Sequence, residues 1–331
     1  MTVYSTRPQE AHLSDFLAVH AQVLAIAAFF ASCVVVFSFL TDSFATSGNL
    51  LNVVRQAAPL LIVATAMTFV ITTGGIDLSV GSTVALINAL AAIAIQAGIP
   101  WPFAALAMLL AGSAIGLFQG FFIAYQKIPA FIVTLAGLSA LRGFALLLTQ
   151  GYSIPIPASS FNEIGRGWFL GVPMPAAIAC LTILAGMITL DMTLYGRRVV
   201  AVGANMEAAR RAGMPAQRII ASVYVLSGLA AALAGIVIAA RLGSGSSNAA
   251  SGFELDVIAA VVLGGTSLSG GVGTIIGTVL GALTIAVIGN GLILAHVSPF
   301  FTQIVTGGII LAAIWLNTRI FSQLGSGRLR R

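Results

Sequence analysis

The sequence predicts an all-α integral membrane protein of about ten transmembrane helices, with glycine breaks in two of its apolar stretches. Three observations carry this. Of 331 residues, 59% are apolar and only 7% charged; soluble domains carry about 25% charged residues, so no water-facing surface can be built from this composition. The apolar residues come in runs near the ~20 needed to cross a bilayer. The 36 glycines suit helices packed backbone to backbone in lipid.

The net charge of +6 is no nucleic-acid footprint. The basic residues, of which Lys127 is the only lysine, sit mostly between apolar runs and at the C-terminus. Cys33 and Cys180 lie far apart in apolar runs, with neither a disulfide framework nor metal-ligand spacing, so no metal site is expected. Phe30-Ala-Ser-Cys33 is a poor lipoprotein cleavage site, because the expected leucine is missing and a polar-rich segment precedes the run. That run is long enough to stay as a span.

In order, residues 1–17 form a polar tail and a span follows at 18–40. The loop 41–49 carries Asp42 and no basic residue, which places it outside. Span two covers 53–73, with Arg55 at its outer end. A glycine break at 74–82 leads into span three, ending near 97. After the turn at Gly98, span four covers 102–124 and ends at Gln126-Lys127, inside. Pro129 opens span five, where its missing N–H costs little. The polar loop 151–168 lies outside by parity, and span six covers 170–190. Segment 191–218 carries Arg197, Arg198, Arg210, Arg211 and Arg218, and the positive-inside rule puts it in the cytoplasm. Span seven covers 219–240, with a small polar loop, 241–252, outside. A short run at 255–264 ends in a second glycine break, 264–273. Spans nine and ten cover 274–294 and 300–317, and a basic tail, 319–331, is cytoplasmic. Residues 18–318 thus form one membrane domain with both termini inside.

The stretch Thr72 to Ser82 organises the chain. Gly74 and Gly75 weaken a helix, and Asp77 is an acid between two apolar runs. One reading is a broken helix lining a solute path, where buried acids are functional candidates. The other is a tight cytoplasmic turn whose acid caps the next helix. Gly-Gly-Ile-Asp-Leu-Ser-Val-Gly (74–81) and Gly-Gly-Thr-Ser-Leu-Ser-Gly-Gly (264–271) agree at five positions, through an internal repeat or through glycine-rich chance.

In the cytoplasmic segment, 196–203 reads as an extended or irregular lead-in and 204–213 as a short helix. Asn205 caps it, Glu207 suits its first turn and Arg210 and Arg211 its last, and Gly213 with Pro215 stops it. With small residues at Ala208, Ala209 and Ala212, it can dock in a partner's cleft or be an ordinary basic loop. A phosphate-binding loop needs a lysine after a glycine-rich turn. Lys127 follows Gln126 and Tyr125, so any ATP that drives this chain is hydrolysed by another subunit. Ser139 and Ser269 have no histidine in a comparable span, so no catalytic residues are expected.

Four ordered motifs resemble the membrane permeases of bacterial monosaccharide ABC importers, the ribose, xylose and arabinose permease family, over about 45–317. They are 44–52 followed by 74–82; Ile128 to Leu135 with Arg142-Gly143; Gly196-Arg197, Gly203-Ala204-Asn205, Ala208-Ala209 and Gly213; and Ile258 to Gly271 with Asn290-Gly291. Ala204 stands where many relatives have a second glycine. The resemblance implies a type II ABC importer-like fold in the bacterial inner membrane. It implies a second permease subunit, identical or not, cytoplasmic ABC ATPase subunits holding ATP and Mg²⁺, and a periplasmic sugar-binding protein. This chain itself would hold no cofactor. The implied pathway residues are Gly74, Gly75, Asp77, Ser79, Thr134, Arg142, Gly264, Gly265, Ser267 and Ser269. The implied ATPase-coupling residues are Gly196, Arg197, Asn205, Glu207, Ala208, Ala209, Arg210 and Gly213, within 196–215.

Arg142 falls toward the outer third of span five and needs a partner or a wet cavity; Asp77, Glu254 and Asp256 are candidates. It is a structural anchor or a contact for a polyol. An ion-coupled transporter using Asp77 is the alternative function, although it gives no reason for the arginine-flanked helix.

Overall fold

A computed structural model describes the backbone of residues 11–298 and isolated residues from 301 to 311. The expected run 300–317 and the tail 319–331 lie largely or wholly outside the described residues. Nine helices correspond to the other nine expected runs: α1 (Ala11–Leu40), α2 (Ser47–Thr72), α3 (Val80–Gln96), α4 (Trp101–Ala124), α5 (Ala130–Thr149), α7 (Met174–Met187), α10 (Ala216–Leu242), α11 (Phe253–Leu263) and α12 (Ile275–Leu294). Between them lie the short α6 (Glu163–Arg166), α8 (Leu194–Ala204) and α9 (Met206–Arg211). Among the described residues, seven helices are long and apolar enough to cross a membrane, α7 among them because a π-helical turn, Ile188–Met192, continues it. At 1.5 Å per residue, α3 reaches only about 25 Å and α11 about 16 Å, so neither crosses alone.

Two helices form the centre. The most apolar stretches of α2 and α10 are 83% and 78% buried, against 11% for α5. From Ala57 to Thr72 every residue of α2 is buried, as expected of a helix apolar on all sides. Glycines set the α4–α10 distance. Gly112, Gly116 and Gly120 recur every four residues, and a Cβ at any of them would run into backbone of α10 at Gly228, Tyr224 or Ala221. This is the small-residue spacing that lets helices in lipid approach by their backbones.

Loops of like expected side meet. The strand Ile154–Pro155 pairs antiparallel with Ser244–Gly245, Arg166 Nε donates to the Arg241 carbonyl at 2.8 Å, and Arg55 lies 5.0 Å over the Trp168 ring. These contacts join the loops assigned outside. Loop 151–168 is therefore not plain coil. Helix α2 starts at Ser47, capped by Thr46, so Arg55 sits within it.

Segment 196–203 departs from the expectation: it is helical, not extended. Thr193 caps α8 by accepting from Gly196 N, and Val199 and Val202 bury their side chains in the main core. Capping and burial override the flanking glycines and the β-branched pair Val199-Val200.

Candidate functional site: two glycine breaks and the segment beneath them

Both breaks are built by one device. Gly74 N donates to Ile71 O and Gly75 N to Val70 O, with Gly74 at φ +79°. At the second break Gly265 N donates to Val262 O and Thr266 N to Val261 O, with Gly265 at φ +91°. These are Schellman closures, in which a left-handed glycine satisfies the last carbonyls of a helix. The device falls one residue later in the second break than the sequence similarity between 74–81 and 264–271 would place it.

Asp77 holds the first break together. It is 2% exposed. Its Oδ1 accepts from Ser79 N at 2.9 Å and from the Ser79 hydroxyl at 2.6 Å; its Oδ2 accepts from the Ser227 hydroxyl of α10 at 2.7 Å. Gln119 of α4 donates through Nε2 to Ser79 Oγ at 2.8 Å. Thr134 of α5 donates to the Ile76 carbonyl at 3.2 Å. The Tyr224 hydroxyl of α10 stands against Gly75, where a Cβ would collide with it. Thus α4, α5 and α10 all close over the break, so its non-helical backbone is covered by protein. Of these partners Ser79 and Thr134 were among the residues the resemblance implied. Gln119, Tyr224 and Ser227 are polar residues within apolar runs, which was the available signal.

In the second break, Gly264 is buried against Gly277 of α12. Ser267 N donates to Val272 O, and Ser269 is exposed. The two breaks touch: Gly271 N donates to the Thr72 carbonyl at 2.9 Å, and the Ser269 carbonyl lies beside Gly74.

Arg142 stands apart from this cluster. Its guanidinium donates to the carbonyls of Ser247, Ala249 and Ala250, in the loop between α10 and α11. Its hydrogen-bond partners are therefore backbone, not the three candidate carboxylates. Glu254 is close by, its carboxylate lying against Gly81 of α3 together with the Ala250 carbonyl. A separate cavity of about 900 Å³ opens between α2, α11 and α12, with Gln56, Arg241, Asp256 and Asn290 among its lining. None of the expected pathway residues lines it.

The segment 196–215 forms a helix pair. Asn205 ends α8 and caps α9, its Oδ1 accepting from Ala208 N at 2.9 Å. Glu207 pairs with Arg211 at 3.2 Å, and Gly213 stops the helix at φ +80°. Arg197, Glu207, Ala208 and Arg210 are exposed. Gly196 and Ala209 face inward: a Cβ on Gly196 would overlap the Leu190 carbonyl, and Ala209 joins the main core. The outward small residues are therefore Ala208 and Ala212.

Residues 49–314 match a family model described as the permease component of a branched-chain amino acid transport system. The chain belongs to this family of transport permeases. The permease is 41% identical over 305 residues to the probable ABC transporter permease YphD of Escherichia coli, covering 92% of each chain. It is 42% identical over 288 residues to the ribose import permease RbsC of Bacillus subtilis, covering 86% of this chain and 89% of that one. It is 33% identical to the xylose transport system permease XylH of Escherichia coli, covering 94% and 95%. No solved structure matches it.

Proposed function

We propose that the permease is the membrane subunit of an ATP-driven importer that carries a monosaccharide or related polyol across the bacterial inner membrane. One observation carries the reading: the chain aligns nearly end to end with permeases named for ribose import and xylose transport. The family description names amino acids, but these individual relatives are sugar permeases by name. A neutral solute also suits a protein with so few charges in its apolar runs, since hydroxyls and carbonyls suffice to pass it.

In this reading a periplasmic binding protein delivers the solute, and a second permease subunit completes the path with the two glycine breaks and Arg142 beside it. Cytoplasmic ATPases dock on the exposed, arginine-rich face of α8 and α9. The helix pair supports this because one face is anchored in the core while the other is free. Closure of the ATPases on ATP moves the pair and re-orients the spans.

Extraction from native membranes in mild detergent tests the reading. A soluble ATPase with a phosphate-binding loop is expected to co-purify in equal number. A permease that comes out alone and is active alone would overturn it in favour of an ion-coupled transporter.

A further inference from the structure

The inner face of the helix pair meets both glycine breaks at one point. Thr72 is the last residue of α2, and its carbonyl lacks a partner within the helix. Gly271 N, from the second break, supplies one at 2.9 Å. Gly203, in the last turn of α8, packs on the same carbonyl: a Cβ there would overlap Thr72 O and stand 2.7 Å from Gly271 N. Reciprocally, a Cβ on Gly270 would stand 2.8 Å from Gly203 O and 3.0 Å from Gly74 N, and one on Gly271 would stand 2.9 Å from the Ala204 Cα. Three segments distant in sequence, 72–74, 203–204 and 270–271, are thus packed backbone on backbone, and a methyl group at Gly203, Gly270 or Gly271 would force one of them to shift.

We propose that Gly203 and Ala204 form the transmission joint of the importer, positioning residues that move both glycine breaks as one body when the helix pair is displaced. The proposal rests on the docking reading above. Its physical basis is the absence of slack. Close-packed interfaces shift between discrete arrangements and do not deform continuously, and here no flexible side chain separates the pair from either break. From the first break the motion passes through Asp77 and Ser79 to α4 and α10, which hold them by hydrogen bonds.

The test uses the complete complex of permease, ATPase and binding protein in lipid nanodiscs and proteoliposomes. In the wild type, hydrogen exchange of peptides spanning 196–215, 72–79 and 264–273 is expected to change together on adding ATP. In Gly203→Ala the ATPase should co-purify and hydrolyse ATP, while solute moved per ATP falls at least tenfold and the two break peptides stop responding. Gly112→Ala is the control. It introduces a methyl that also collides with backbone, at the α4–α10 contact, and should lower yield while leaving solute per ATP within twofold of wild type. A wild-type complex in which 196–215 responds but the breaks do not would overturn the joint and leave docking intact. So would Gly203→Ala with normal solute per ATP. No response at 196–215 would overturn docking, and the joint with it. Should Gly203→Ala fail to assemble, the wild-type exchange pattern decides.

Discussion

Asp77 shows what one carboxylate does at a broken helix. Its two oxygens take three donors, two from Ser79 and one from Ser227, so it fixes the turn into α3 and ties that turn to α10. Removing a carboxylate that satisfies buried donors costs their hydrogen bonds and leaves them unpaired. Asp77→Ala should therefore destabilise by about 3 kcal/mol, read as a fall of several degrees in the unfolding midpoint of the purified complex. Asp77→Asn keeps one acceptor oxygen, and its amide can donate to the Ser227 hydroxyl, so it should lose far less stability. Wild-type unfolding in Asp77→Ala would remove the residue from this role. The turn itself could be read from Gly74, Gly75 and Asp77, because a left-handed glycine and a short acid act locally. Ser227 could not, since it lies 150 positions away and nothing in an apolar run says which neighbour its hydroxyl will meet.

At the scale of elements, local chemistry was again the legible part. The cap at Asn205, the acid at Glu207 and the stop at Gly213 act within a few residues, and α9 forms where they place it. Helix α8 was hidden, because 196–203, bounded by Gly196 and Gly203, read as extended or irregular. Both are instead points of close approach, to Leu190 and to Thr72, a property of neighbours that sequence does not display. Arg142 behaves similarly. Its need for partners was evident, but they are three carbonyls of one loop, and carbonyls are present at every residue. It latches α5, otherwise largely exposed, to the α10–α11 connection. Arg142→Gln should free loop 247–252 and speed labelling of a cysteine at Ser251 by an impermeant maleimide about fivefold. Arg142→Lys should be intermediate, since one ammonium cannot match the fork of a guanidinium. Unchanged labelling in Arg142→Gln would contradict the latch.

For the molecule as a whole, loops that the charges read as lying on one side make contact with one another. Segments 154–155 and 244–245 pair at one end. The two breaks gather against α8 of the arginine-rich helix pair. The span count was harder to read, because α3 and α11 are apolar yet too short to cross, and length is where hydropathy loses its force. Each short helix has one end at a glycine break, so the breaks also set how far these helices reach into the membrane. In the proposed function the charged face anchored to both breaks couples the permease to an external ATPase; an ion-coupled transporter gives no reason for it.

The most direct measurement is uptake of radiolabelled ribose and xylose into proteoliposomes holding the permease with its co-purified ATPase, with the binding protein outside and ATP inside. At least one sugar should enter only when ATP and binding protein are both present, at a rate unchanged by an ionophore that collapses the ion gradients. Uptake that survives without ATP and disappears with the ionophore would contradict the account.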